Sequence, residues 1–191
     1  MRRILIAGIG NIFHGDDAFG VEVVRRFVET APMEFAGSLE QLGVRALLGP
    51  ASGVELTVAD FGIRAYDLAF ALTGNYSTII LVDAVPRGRA PGTLCLIEPD
   101  ATNLEEPPGD TADPHSMDPV AGLRMARALG GSSARLFLVG CEPATLDTEN
   151  GRLGLSEPVQ AALPAAIAMI ESLVNDFLTQ TQNTTAGLVP A

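Results

Sequence analysis

The apolar run Ile4-Leu5-Ile6-Ala7-Gly8-Ile9 closes on Gly10, and two adjacent carboxylates, Asp16 and Asp17, follow just before the pattern turns helical. An unbroken apolar run of this kind suits a strand buried on both faces, as in a parallel sheet covered by helices. Strand, glycine turn and helix start can also present bare backbone N–H groups to a phosphate. The spacing here does not suit that task. A dinucleotide fingerprint needs a third glycine three residues after Gly10, and Phe13 stands there. Two acidic side chains at the positive end of a helix would also repel a phosphate. The loop therefore predicts a metal or catalytic site at the rim of an α/β sheet.

Apolar runs and helical patterns alternate along most of the chain. The patterns predict strands over 3–9, 54–59, 78–82, 93–97 and 135–139, and helices over 18–29, 66–72, 117–129 and 157–177. This order predicts one three-layer α/β domain over 1–178, with a five-stranded, mainly parallel sheet flanked by helices. One connection breaks the parallel rule. Asp83 and Thr93 are joined by Ala-Val-Pro-Arg-Gly-Arg-Ala-Pro-Gly, too short and too rich in Pro and Gly for a crossover helix. The strand at 93–97 is therefore expected to run antiparallel at an edge. Pro164 should kink the last helix, and Ser156 with Pro158 suits its start.

Two segments are less regular. Residues 31–53 are punctuated by Pro32, Gly37, Gly43, Gly49, Pro50 and Gly53 and read as an irregular insertion. A lid, an oligomer contact and a mobile insertion all stay open for it. The tail at 179–191 is expected to be disordered.

Composition narrows the partners. With 12 basic and 23 acidic residues the net charge is −11, which argues against nucleic acid or an anionic membrane surface. No apolar run approaches the roughly 20 residues that cross a bilayer. Met1-Arg2-Arg3 runs straight into a strand without a cleavage-site pattern, so no signal peptide is expected. Cys95 and Cys141 lie far apart with no partner at metal-ligand spacing, which suits a reduced, cytoplasmic protein.

Sites in open parallel sheets gather beyond the carboxyl ends of the strands. The first strand leads to Asp16 and Asp17, the second to Asp60, the third to Asp83. His115, in Asp113-Pro114-His115-Ser116, is the remaining candidate, with Ser116 placed to cap a helix. Each has a plainer alternative. Asp16 sits where a helix cap is expected, Asp17 can answer a helix dipole, and Asp60 before Phe61-Gly62 can form an Asx turn. Asp83 ends a very apolar strand, so its burial calls for a reason. Cys141 reads as a packed small hydrophobe and His14 as an exposed loop residue. Two carboxylates and an imidazole form a mixed O/N set suited to a borderline divalent ion such as nickel or zinc.

These motifs carry a resemblance. Gly8-Ile9-Gly10-Asn11, Asp16-Asp17-Ala18-Phe19-Gly20-Val21, Leu81-Val82-Asp83-Ala84 with Ala90-Pro91-Gly92-Thr93, His115 before a helix and Leu138-Val139-Gly140-Cys141-Glu142-Pro143 occur in the same order as in the [NiFe]-hydrogenase maturation endopeptidases. The chain resembles that family over most of 3–175. The resemblance implies removal of a C-terminal extension from a [NiFe]-hydrogenase large-subunit precursor after nickel insertion. It implies that Asp17, Asp83 and His115 are metal ligands, that Asp60 is an acidic loop residue near substrate, and that nickel arrives with the precursor. Another divalent metal could take its place in vitro. Asp113-Pro114 before His115 and the length of 31–53 depart from the family pattern.

On this reading the metal polarises the scissile carbonyl, activates water or only positions the substrate, and Asp16 or Asp60 assists as base. Two other functions stay open at this point. One is a metal-independent hydrolase using carboxylates as acid and base. The other is a nickel-binding assembly chaperone without proteolytic activity.

Overall fold

A computed structural model describes residues 2–30, 37–39, 44–49, 54–98, 134–146 and 151–185. Seven strands form one sheet: β1 (Arg2–Ile9), β2 (Gly37–Leu39), β3 (Val44–Gly49), β4 (Val54–Gly62), β5 (Thr78–Ala84), β6 (Leu94–Ile97) and β7 (Arg135–Cys141). A one-turn 3-10 helix (Gly15–Ala18) leads into α1 (Phe19–Thr30), followed by α2 (Ala65–Leu72) and α3 (Glu157–Thr185). The strand order is β2-β3-β4-β1-β5-β7-β6. Strands β4, β1, β5 and β7 run parallel, and β6 pairs antiparallel with β7 at one edge.

These five strands and their directions match the predicted architecture, including the antiparallel edge after the Pro/Gly-rich connection. The segment read as irregular adds a further piece of sheet. Within 31–53, β2 and β3 pair antiparallel with each other, and β3 with β4, extending the opposite edge. The predicted helix at 117–129 lies outside the described residues. α3 holds Pro164 in its interior and runs on past Phe177 to Thr185, taking in the first part of the segment expected to be disordered; residues 186–191 lie outside the described residues.

Side-chain alternation along β1 builds two cores. Ile4 and Ile6, with Val58, Ile80, Val82 and Val139, face Phe19, Val23, Val24 and Phe27 of α1 and Val159, Leu163 and Ile170 of α3. Leu5, Ala7 and Ile9, with Ile79 and Leu81, face Leu68 and Leu72 of α2. Each fully buried aliphatic side chain contributes about 1.5–3 kcal/mol. Burial on both faces explains why β1 and β5 read as continuous apolar runs and not as alternating ones.

Candidate active site at the carboxyl edge of the sheet

Glycines set the geometry of the first loop. Gly10 has φ +124°, and a Cβ there would stand 1.7 Å from the carbonyl oxygen of Asp17. At Gly20 a Cβ would stand 2.0 Å from Val82 O and 2.4 Å from Ile9 O. Only hydrogen at these positions lets the 3-10 turn and α1 settle onto the ends of β1 and β5. Asp17 is thereby held over the end of β1, half-buried, with its Oδ2 accepting the backbone N–H of Asn11 at 2.7 Å.

Asp83 lies on the neighbouring strand, one residue beyond the Gly8–Val82 pair of the β1–β5 ladder. It is buried at 6% exposure, and its Oδ1 accepts the Ala84 N–H at 2.8 Å. Asp17 and Asp83 therefore belong to one seam between two adjacent parallel strand ends. The third predicted ligand, His115, lies outside the described residues, as do Asp113, Pro114 and Ser116. Among the described residues, no group of three or more His, Cys, Asp or Glu side chains stands ready to hold a metal ion.

Asp16 faces inward and is fully buried. Its Oδ1 accepts the Ser156 N–H at 2.6 Å, and its Oδ2 accepts Ala144 N–H at 2.8 Å, Thr145 N–H at 3.1 Å and the Ser156 hydroxyl at 2.9 Å. Both oxygens are engaged. The carboxylate joins the loop after β1 to the loop after β7 and to the start of α3, and it does not act as a local cap of its own helix.

Asp60 lies within β4, which continues to Gly62. It pairs with Gly8, while Gly62 pairs with Ile9, leaving Phe61 as a bulge. Its half-buried side chain lines a cleft of about 220 Å³ with Val24, Arg25, Val28, Glu29 and Val58 on the α1 side of the sheet. Asp83 falls on the other side by alternation with Ile79 and Leu81. Arg64, at the head of α2, donates from its guanidinium to the carbonyls of Asp60 and Phe61, which fixes the backbone of this bulge.

Beyond β7, Cys141 is fully buried, and its thiol is pushed up to about 12, chiefly by burial and then by the charge of Asp16. A nucleophilic thiolate is not available there. Glu142 next to it is also buried, with its carboxylate accepting Arg87 N–H at 2.8 Å and Gly88 N–H at 3.0 Å. Burial alone would raise its pKa, but the N–H groups of Arg87, Arg89 and Gly88, with the Arg89 charge, hold it below the ordinary carboxylate range. This residue carried no role in the sequence reading. The signal available was an acidic residue directly after a buried strand, the same signal that singled out Asp83.

The arrangement is a carboxylate-lined edge on a mainly parallel sheet, with its glycines, acids and loops in a fixed order. Residues 43–173 match the family model described as hydrogenase maturation protease. This chain belongs to the hydrogenase maturation protease family.

Its relatives agree. The chain is 30% identical over 168 residues to the hydrogenase expression/formation protein HupD of Rhizobium leguminosarum bv. viciae, covering 86% of this chain and 70% of that protein. It is 28% identical to the hydrogenase 2 maturation protease of Escherichia coli K12 over 172 residues, covering 88% of each. The fold matches the hydrogenase maturating endopeptidase HybD from E. coli with a TM-score of 0.65, covering 92% of this chain and 93% of that one at 23% identity. As a family member the protein is a peptidase of hydrogenase maturation. No helix among the described residues is long and apolar enough to cross a membrane.

Proposed function

We propose that this protein removes the C-terminal extension of a [NiFe]-hydrogenase large-subunit precursor after nickel insertion, and that the nickel already in the precursor is the recognition element. The observation that carries the reading is the placement of Asp17, in the 3-10 turn tied back to Asn11 just after β1, and Asp83, near the end of the neighbouring strand β5, within a chain of the hydrogenase maturation protease family. Two carboxylates supply hard oxygen donors, and His115 would add an imidazole, a mixed set suited to a borderline divalent ion. Nickel enters as part of the substrate, and these three side chains complete its coordination and place the scissile bond over the seam.

Hydrolysis then needs a group that takes a proton from water and returns one to the leaving amine. Asp60 is assigned that role over Asp16. Its carboxylate is half-buried and lies at the β4 position paired with Gly8, on the α1 side of the sheet and across from the side Asp83 takes, whereas both Asp16 oxygens are occupied by four donors. The peptidase is thus of the carboxylate-assisted type. We assign its action to the cytoplasm, in keeping with two free cysteines, Cys95 and Cys141.

The test is intact mass spectrometry of the precursor, nickel-loaded and nickel-free, incubated with this protein. Loss of a C-terminal peptide from the loaded form alone supports the reading. Cleavage of both forms overturns nickel as the recognition element and favours the metal-independent hydrolase. Metal uptake with no change in precursor mass favours the chaperone.

A further inference from the structure

The connection from β5 to β6 leaves directly after Asp83 and Ala84, and its backbone is tied down along its length. Val85 N–H donates to Cys141 O at 2.8 Å, Gly92 N–H to Glu142 O at 2.8 Å, and Glu142 N–H to Thr93 O at 2.9 Å. The middle is held by the buried Glu142 carboxylate through Arg87 N–H and Gly88 N–H. Gly92, at φ +82°, sits so close to the start of α3 that a Cβ would stand 2.5 Å from Pro158 O. Three backbone hydrogen bonds and two to the Glu142 carboxylate thus fasten this Pro/Gly-rich loop.

Two side chains project from this fixed loop. Arg87 and Arg89 flank Gly88, and both are exposed. Among the described residues neither makes a contact ion pair, although the Arg89 charge also acts on the nearby Glu142 carboxylate. Elsewhere the chain is strongly acidic, with 23 acidic residues against 12 basic. The result is a small cationic spot beside a site carboxylate. A guanidinium is also suited to bidentate binding of a carboxylate. Because the backbone is already ordered, little is lost in arranging the pair for a ligand.

We propose that Arg87 and Arg89 form a cationic lip that receives acidic side chains of the hydrogenase precursor and guides it to the Asp83 end of the site. The lip deepens the function proposed above and rests on it. Rim charges of this kind act on association rates and on salt dependence more than on dissociation.

The experiment measures association and dissociation rate constants of the full chain with the nickel-loaded precursor, at low and high salt. Arg87→Glu and Arg89→Glu are compared with Arg2→Glu, the same charge change at an exposed residue on the opposite end of the sheet. Each lip variant is expected to slow association about five- to tenfold at low salt, leave dissociation unchanged, and approach wild type at high salt. Arg2→Glu should stay close to wild type. Equal slowing by Arg2→Glu, wild-type rates for both lip variants, or an effect confined to dissociation would overturn the lip while precursor cleavage by wild type still stands. A wild-type protein that neither binds nor shortens the precursor overturns the functional reading, and the lip with it.

Discussion

Asp16 accepts both the backbone N–H and the hydroxyl of Ser156, at 2.6 and 2.9 Å, across 140 positions of sequence. The same carboxylate holds the N–H groups of Ala144 and Thr145. The loop carrying Asp17, the turn after β7 and the residue just before α3 are therefore fastened to one buried charge. Hydrogen bonds to a charged group are stronger than neutral ones, and leaving such donors without an acceptor is costly.

Asp16→Asn tests this directly. An amide group turned toward four donors leaves at least one of them without an acceptor. Stability to urea is expected to fall by about 2–3 kcal/mol, with cleavage falling alongside it. Full stability combined with lost cleavage would instead place Asp16 in the chemistry.

Asp17→Ala and Asp83→Ala should each slow precursor cleavage by at least about a hundredfold. Cys141→Ala should keep most activity and lose roughly 1 kcal/mol from the small space it leaves. Cleavage is read from the mass of the precursor over time, stability from denaturant midpoints. An inactive but folded Cys141→Ala would reopen a thiol route.

Gly20→Ala forces a methyl group against Val82 O and Ile9 O, both backbone atoms that cannot turn aside. The start of α1 must lift from β1 and β5. A loss of about 1–3 kcal/mol or more is expected, together with weakened cleavage because Asp17 lifts with it. Thermal melts and cleavage rates of the same preparation check both. A variant as stable and active as wild type would mean that α1 is not seated on these strands.

Glu142 predicts an acid-sensitive contribution to stability. Its folded-state pKa lies below the ordinary carboxylate value, so the unfolded chain takes up the proton first. The stabilisation is complete above the ordinary carboxylate range and is lost as pH falls through the lower, folded value. Comparing wild type with Glu142→Gln by chemical denaturation across pH, the gap should be widest near neutrality and should close on acidification. A gap independent of pH would mean that the charge is not what fastens the loop.

Much of the fold was legible because the central strands are buried on both faces. Ile4 through Ile9 and Thr78 through Val82 show their identity in composition alone, and the short connection after Asp83 dictated the antiparallel edge. Asp83 was legible for the same reason, as a charge at the end of an apolar strand. Asp16 was not, since Ala144, Thr145 and Ser156 are remote in sequence and no local pattern announces them. β2 and β3 escaped notice because the segment around them is broken by Gly37, Gly43, Gly49 and Pro50. Asp60 read as a turn residue because the bulge at Phe61, which keeps Gly62 in the ladder, has no sequence signature.

The two ends of the sheet also bear on how a polypeptide can approach it. Among the described residues one flank finishes in β2, three residues long, and the other in β6, four residues long, both antiparallel to their neighbours. Borders this short offer few unpaired backbone groups for an incoming chain to align with. A protein substrate therefore gains little by lying alongside as an extra strand, the mode many peptide-binding domains use. A chain that met the tips of the inner strands end-on would be selected by the side chains and loops there rather than by the pairing of main chains.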